Sequence, residues 1–267
     1  AGALSGWLAR LGEQPFLVIG PGESGIRSTA SVYKARELIR IADRLAIPVI
    51  LFFGRHWYRS GSDTDDEAER IRARMDFLST LQKSRSPRYH LILEPDGLGR
   101  VALNQSAHAL VLVDNNRRNG VDSRPGLAPD FKEENLPSAL QRICQIHSLQ
   151  TAAAARNPDS QLIVPENSTQ PFDMKSVLHS LVDARSLMCW QDTELERNLI
   201  TATARFQGQS VAIIADQPLK GGVPDAHGTE RFRQFVERVE RWNMPLLMLS
   251  NAPGFLPGTQ QERLRIQ

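Results

Sequence analysis

The stretch that decides the fold reads Ile214-Ala-Asp-Gln-Pro218, then Gly221-Gly222-Val223, and after a helical segment Asn243-Met-Pro245-Leu-Leu-Met-Leu249. The pattern occurs a second time in the chain, as Leu17-Val-Ile-Gly-Pro21, Ser24-Gly25-Ile26 and Ala46-Ile-Pro48-Val-Ile-Leu-Phe52. Pro48 and Pro245 are 197 positions apart, and so are Pro21 and Pro218. An ungapped match over this length indicates an internal repeat.

Each copy of the repeat predicts a buried strand, a glycine-containing loop, an amphipathic helix and a second buried strand. The short apolar runs, which end at Gly or Pro, are typical of strands. In the second copy, Glu230 to Trp242 places Phe232, Phe235 and Val239 on one helical face. A strand-helix-strand order favours a parallel pair with a right-handed crossover. The predicted fold is therefore α/β, built from two related units.

The first copy continues where the second does not. It is followed by a charged helix near Asp65 to Gln82 and by strands at Tyr89 to Leu93 and Ala109 to Val113, whereas Asp114 to Pro137 is interpreted as a loop. We therefore expect three parts. They are a first unit at 1–135, a connecting helix at 136–160, and a second unit at 161–267 that is incomplete.

Composition excludes several classes of function. The formal net charge is +2, from 32 basic and 30 acidic residues, which argues against a nucleic-acid binder. No apolar run is long enough to span a membrane, and no secretory signal is recognised at the N-terminus. With only Cys144 and Cys189, a reducing cytoplasm is expected. Cys144 and His147 have metal-like spacing, but two ligands do not complete a zinc site, so no metal is predicted.

One loop fits a nucleotide-binding motif and is nevertheless rejected. Gly20-Pro-Gly22-Glu-Ser-Gly25 matches the dinucleotide fingerprint and follows a strand. The next strand ends in Gly54 and Arg55, however, without the acid that would bind a ribose. Pro21 also removes an amide from a loop that must donate amides to phosphate.

The second unit resembles the β subunit of biotin-dependent acyl-CoA carboxylases. The resemblance covers about a hundred residues and is most specific in a motif that follows a buried strand, Pro253-Gly-Phe-Leu-Pro-Gly-Thr259. The other matching segments are Ile163-Val-Pro-Glu-Asn167, Pro171-Phe-Asp-Met174, Val182-Asp183, Ala204-Arg205-Phe206, Val211-Ala-Ile-Ile-Ala-Asp-Gln-Pro218, Gly221-Gly222-Val223, Arg231-Phe232 and Pro245-Leu246.

This resemblance implies two crotonase-like units, the first facing acyl-CoA and the second facing biotin. It also implies a transferase or ligase of cytoplasmic fatty acid metabolism that works with a biotin carboxylase or biotin carrier subunit in a homo- or hetero-oligomer. Biotin would be carried on that partner, and acyl-CoA would be the substrate. Carboxyl transfer from carboxybiotin passes through an enolate, and both the enolate and the ureido oxygen need fixed amide donors. Glycine lets the backbone approach such oxygens closely.

By resemblance, the loop at 253–258 supplies a donor at the biotin oxygen. The implied catalytic residues are Gly254, Phe255 and Gly258, the implied cofactor-binding residues are Gly221, Gly222 and Pro253, and the implied substrate-binding residues are Gly97 and Gly99. The last two belong to Pro95-Asp-Gly97-Leu-Gly99, which stands where the family has a glycine-rich oxyanion loop.

Two departures from the family pattern leave three functions open. Gly54-Arg55-His56-Trp57-Tyr58-Arg59 replaces a Gly-Gly-Ala-Arg type loop, and a later Gly-Gly helix does not follow Thr259. Losing one oxyanion donor lowers the rate by roughly a hundred- to a thousand-fold. The chain is thus a carboxyltransferase subunit completed by other sequence, a non-catalytic assembly partner of the same fold, or a biotin-independent acyl-CoA decarboxylase.

Overall fold

The computed structural model describes residues 4–21, 28–53, 66–93, 106–113, 129–151, 170–190, 198–223 and 225–251. The chain divides into two compact units, Ala1–Cys144 and Gln145–Gln267. The division falls inside the helix that the sequence predicts as a connector. None of the helices in these ranges is both long enough and apolar enough to cross a membrane.

The first unit is a six-stranded sheet with two helices on one face. Its strands are β1 (Leu4–Leu11), β2 (Gln14–Pro21), β3 (Val49–Phe53), β4 (Arg88–Ile92), β5 (Ala109–Val113) and β6 (Phe131–Glu133), in that spatial order. The β1–β2 pair is an antiparallel hairpin, and β2 to β6 pair in parallel. β6 lies inside the segment interpreted as a loop, so that interpretation was wrong for Phe131–Glu133.

Helices α1 (Thr29–Leu45) and α2 (Glu67–Lys83) cover the sheet of the first unit. Ser28 caps α1 by accepting a hydrogen bond from the Ser31 amide, which satisfies one of the unpaired donors of the first turn. The buried residues that join the helices to the strands are Leu4, Leu17, Ile19, Ala35, Ile39, Ala42, Val49, Leu51, Phe77 and Leu81.

The second unit contains a four-stranded sheet in the order β10-β9-β8-β7. These strands are β7 (Met188–Trp190), β8 (Leu199–Phe206), β9 (Gln209–Asp216) and β10 (Leu246–Leu249), of which only the β9–β10 pair is parallel. The helices are α3 (Leu136–Thr151), which begins in the first unit, α4 (Met174–Leu181) and α5 (Ala226–Trp242), with a short 3-10 turn at Pro218–Lys220.

The predicted repeat is present, with a correction to its alignment. The hairpins β1–β2 and β8–β9 have the same strand lengths and lie 195 positions apart, whereas α1 and α5 lie 197 apart, as do β3 and β10. The single offset of 197 was therefore wrong for the hairpin, because the connection from β9 to α5 is two residues longer than that from β2 to α1. A shift of two residues keeps each side chain on the same face of the strand, which is why the sequence pattern still matched.

The two copies differ in what covers the second parallel strand. In the first unit, Val49 and Leu51 of β3 are fully buried in a core that includes Phe77 and Leu81 of α2. Their counterparts in β10 are Leu246, which is 38% exposed, and Met248, which is 55% exposed. Within the described residues, the second unit has no helix in the position of α2.

Candidate functional site

The carboxyl ends of β9 and β10 lie side by side. These strands are parallel, and Ala215 pairs with Leu249 near their ends. The chain leaves β9 into Gln217–Val223 and leaves β10 into Ser250 and Asn251, which precede the 253–258 loop. Open α/β sheets bind ligands outside the carboxyl ends of their strands. We call this place the β9–β10 edge.

Asp216 joins the two strand ends at the β9–β10 edge. The residue is 5% exposed, and its Oδ2 accepts hydrogen bonds from Ser250 Oγ at 2.7 Å and from the Asn251 amide at 2.9 Å. Hydrogen bonds to an ionised acceptor are short and stronger than neutral ones. Ser250 and Asn251, the last described residues after β10, are therefore held to the end of β9.

Gln217 attaches the same edge to α4. Its side-chain Oε1 accepts a hydrogen bond from the Met174 amide at 3.0 Å, and its Nε2 donates to Asp173 Oδ1 at 2.7 Å. Asp173 also caps α4, by accepting from the Lys175 amide at 3.0 Å. The Gln217 amide donates to the Asn198 carbonyl at 3.0 Å. Gln217 therefore holds the base of the glycine loop against the start of a helix.

Gly221 and Gly222 form the end of the 3-10 turn at this edge. Both are in the left-handed region, with φ of +96° and +62°, a conformation that glycine adopts without steric cost. Their amides are hydrogen-bonded inside the turn, from Gly221 to the Pro218 carbonyl and from Gly222 to the Gln217 carbonyl, both at 3.0 Å. A cofactor-binding role for these glycines stays a prediction, and it would depend on the course of the backbone rather than on amide donation.

The other predicted site residues lie outside the described residues. They are Gly97, Gly99, Pro253, Gly254, Phe255 and Gly258, together with the divergent loop at 54–59. Their roles stay predictions. Of the predicted site residues, the structure places Gly221 and Gly222 at the β9–β10 edge.

In the first unit, buried Arg88 anchors the segment that follows the predicted Gly97 and Gly99. The residue is 2% exposed, and its guanidinium donates from Nε and Nη2 to the Ser106 carbonyl at 3.2 and 3.1 Å. Its Nη1 donates to the carbonyls of Ser84 and Ser86 at 2.8 and 2.9 Å. These bonds fasten the end of α2 and the approach to β5 to the start of β4.

Sequence reasoning quoted Asp216 and Gln217 as part of the matching motif but gave them no role. The available signal was an acid and an amide placed directly after an apolar run. Such residues stand where a buried strand reaches its carboxyl end. Arg88 offered no comparable signal, because an arginine beside a predicted strand is ordinarily exposed.

The two α3 residues with metal-like spacing differ in burial, since His147 is buried and Cys144 is half-buried. Burial raises the pKa of the Cys144 thiol and lowers the pKa of the His147 imidazole. A raised pKa makes a thiol a poorer ligand and a poorer nucleophile, because the thiolate is the reactive form. Across the ranges that the structure describes, no group of three His, Cys, Asp or Glu residues could hold a metal ion.

Comparison with known sequences places the match in the second half of the chain. Residues 135–266 match the family described as carboxyl transferase domain. The propionyl-CoA carboxylase beta chain of Roseobacter denitrificans is 38% identical over 106 residues, which is 39% of this chain and 21% of that protein. Methylmalonyl-CoA decarboxylase subunit alpha of Veillonella parvula is 40% identical over 101 residues, which is 38% of this chain and 20% of that protein. The matched region thus spans about a fifth of each relative.

Comparison with solved structures covers both units. Transcarboxylase 12S, solved as a hexamer with methylmalonyl-CoA bound, superposes with a TM-score of 0.74 at 19% identity, over 98% of this chain and 58% of that one. A likeness at this identity shows the fold. The predicted α/β, crotonase-like fold is confirmed.

Proposed function

We propose that the chain is a biotin-dependent acyl-CoA carboxyltransferase, which moves a carboxyl group between biotin and an acyl-CoA; the match of residues 135–266 to the carboxyl transferase domain family supports this. The observation that carries the proposal is the β9–β10 edge, where Gln217 holds the base of the Gly221–Gly222 turn and Asp216 holds Ser250 and Asn251. The curated relatives are about five times longer than the region matched, so activity, substrate and partners are all proposed.

A biotin ring bound at the β9–β10 edge would lie beside the turn that Gly221 and Gly222 complete. A side chain at Gly221 would meet no atom within 4 Å, so the surface beside the turn is open. Biotin supplies the carrier of the carboxyl group. The 253–258 loop would supply the amide of Gly254 or Phe255 to an oxygen that gains negative charge, and a preorganised donor of this kind stabilises a transition state strongly.

We propose that the chain works in an assembly with a biotin carboxylase or biotin carrier subunit, in the cytoplasm and in fatty acid metabolism. Leu246 and Met248 support the need for an assembly, because these apolar side chains are exposed on β10 while their counterparts in β3 are buried. Exposed apolar surface of this kind is typical of interfaces.

A second candidate is decarboxylation of a malonyl-type thioester. It is favoured by the 40% identity to a subunit named for methylmalonyl-CoA decarboxylase. Both reactions need an oxyanion site for the thioester. Only carboxyl transfer also needs a molecule that accepts the carboxyl group. The third possibility is a non-catalytic subunit of the same fold.

The test is carboxyl transfer to free biotin from methylmalonyl-CoA that is radiolabelled in its free carboxyl group. It is measured with the full chain alone and with an added biotin carrier and biotin carboxylase. We expect label in an acid-labile biotin product, whose formation depends on the chain. Labelled CO₂ released at the same rate without biotin would favour the decarboxylase. The absence of both products with every partner would contradict the proposal and leave the assembly role.

A further inference from the structure

We infer that the outer edge of β1 is a homodimer surface, on which β1 of a second copy of this chain adds as an antiparallel strand. β1 is the outermost strand of the six-stranded sheet, and within the described ranges no strand pairs with its outer edge. Trp7 and Leu8 of this strand are 52% and 69% exposed. An exposed apolar edge strand is a template for pairing with another chain. The inference is independent of the proposed function, because association can be measured without carboxyl transfer.

The internal repeat shows what covers the same edge in the second unit. The hairpin offset of 195 makes Thr201 and Thr203 of β8 the counterparts of Gly6 and Leu8. Strand β7 pairs antiparallel with β8 at these residues, and Thr203 is buried. The repeat therefore accommodates a further antiparallel strand beside its hairpin, and among the described residues of the first unit that position is uncovered.

Strand β7 also shows which side chain this position requires. Trp190 lies opposite Thr201, and its ring meets Phe235 of α5 edge-on, with centroids 5.4 Å apart. The offset of 197 makes Leu38 of α1 the counterpart of Phe235. Leu38 lies against Gly6, since a Cβ on that glycine would be 2.6 Å from Leu38 Cδ1. A strand added to β1 therefore needs a large apolar side chain opposite Gly6, where Leu38 can cover it.

The added side chain should have no polar atom. In the second unit the Trp190 N–H donates to Thr203 Oγ1 at 2.9 Å. The counterpart of Thr203 is Leu8, whose side chain accepts no hydrogen bond. An indole N–H buried beside Leu8 would lose its bonds to water without a replacement, which is costly. An aliphatic side chain therefore suits the β1 edge better than tryptophan.

β1 itself meets this requirement when two copies pair antiparallel about Trp7. Leu8 of the second copy then lies opposite Gly6 of the first, where Leu38 of the first copy can cover it. The two-fold axis repeats the same contact with the copies exchanged. On the other face of the strand, Trp7 lies opposite Trp7 of the second copy and adds an aromatic pair. The edge is therefore self-complementary.

The paired stretch in this register carries no charge. The Leu4 carbonyl already accepts a hydrogen bond from Lys34 Nζ at 2.9 Å, so the new pairing extends over residues 5–9. These residues are Ser-Gly-Trp-Leu-Ala, and Arg10 lies beyond them. Like charges directly opposite one another destabilise a strand pair, and none face each other within this stretch.

The first experiment measures the dimer dissociation constant of the full chain by analytical ultracentrifugation. We expect the wild-type chain to dimerise and Leu8→Lys to raise the dissociation constant at least about tenfold, since the ammonium would be placed against Leu38. Met75→Lys is the matched control, because Met75 lies on α2 and is also well exposed. That change should leave the dissociation constant unaltered, and neither exposed position should affect folding.

Cysteine cross-linking tests the register. Directly opposite residues of antiparallel strands have Cα atoms about 4.5–5.5 Å apart, which is within the range of a disulfide. Two Trp7→Cys chains should therefore cross-link when an oxidant is added. Two Ala9→Cys chains should not, because the register separates their positions by about four residues, or about 13 Å along the strand. The wild-type chain, which has Cys144 and Cys189, gives the background.

Three results would overturn the inference. They are a wild-type chain that stays monomeric at every concentration, equal dissociation constants for Leu8→Lys and Met75→Lys, and cross-linking of Trp7→Cys no stronger than that of Ala9→Cys. A synthetic peptide of residues 186–192, which contains β7, adds a fourth. If this peptide slows amide exchange across residues 5–9 of a monomeric chain, the edge accepts a strand from a different partner and not a second copy.

Discussion

Replacing Arg88 by methionine is expected to lower the free energy of unfolding by about 3–5 kcal/mol. The guanidinium is buried and donates to the carbonyls of Ser84, Ser86 and Ser106. Methionine has a similar length but no donor, so these carbonyls lose a charged partner. An unsatisfied buried polar group costs about 1–3 kcal/mol, and more than one such group is left by this single change.

The free energy of unfolding of Arg88→Met is measured by urea denaturation of the full chain. The transition is monitored by a spectroscopic signal that comes from the first unit. Arg85→Met is the matched control, because Arg85 is exposed three residues earlier and its main-chain amide, which donates to Asp43, is unaffected by the change. That control should change the unfolding free energy by less than about 0.5 kcal/mol. A loss below about 1 kcal/mol in Arg88→Met would show that water replaces the guanidinium and that Arg88 is not an anchor.

Replacing Trp190 by alanine is expected to destabilise the second unit by about 3–5 kcal/mol. The indole is almost fully buried, and it meets the Phe235 ring of α5 edge-on with centroids 5.4 Å apart. Its N–H donates to Thr203 Oγ1 at 2.9 Å. One side chain therefore joins β7, β8 and α5, and truncating it leaves a cavity between the sheet and the helix.

Two variants divide the Trp190 effect into its parts. Trp190→Phe keeps an aromatic ring against Phe235 and loses the N–H, so it should lose clearly less stability than alanine. A double-mutant cycle with Phe235→Leu should give a coupling of about 0.5–1.5 kcal/mol, typical of aromatic pairs. Zero coupling in thermal or urea unfolding would mean that the ring contact contributes nothing beyond buried area.

The repeat could be predicted from the sequence because each copy consists of short apolar runs that end at glycine or proline. The parallel strands β3, β5 and β10 and helix α5 follow from Val-, Ile- and Leu-rich runs and from Phe235 and Val239 on one face. The hairpin strand β1 could not be found in this way. Leu4 is the only buried residue of this strand, and Trp7 and Leu8 are exposed, so it has no buried apolar alternation to reveal it.

The offset between the copies shows a further limit of pattern matching. Matching Pro21 to Pro218 looked convincing, yet Pro21 ends β2 and Pro218 begins the 3-10 turn. Strand periodicity is two, so an error of two residues leaves the apolar pattern intact. The strand pairing gives the correct alignment. Leu17 pairs with Val49 in the first unit, and Ala212 pairs with Leu246 in the second, so the hairpins are offset by 195 and the following strands by 197.

The candidate site was only partly predictable. Glycine motifs indicated where the chain turns, and Gly221 and Gly222 do turn in the left-handed region. Which amides remain available to a ligand depends on hydrogen bonds made at a distance in sequence. The same is true of the bonds from Ser250 and Asn251 to Asp216, which cross more than thirty positions.

Hydrogen exchange of the full chain in saturating biotinyl-lysine tests most directly whether the β9–β10 edge is where the biotin ring binds. We expect slower exchange across 217–223 and 250–258, with the β8–β9 turn at Gln207 and Gly208 unaffected as an internal reference. Protection confined to other parts of the chain, or none at a concentration where binding is seen by calorimetry, would contradict the account.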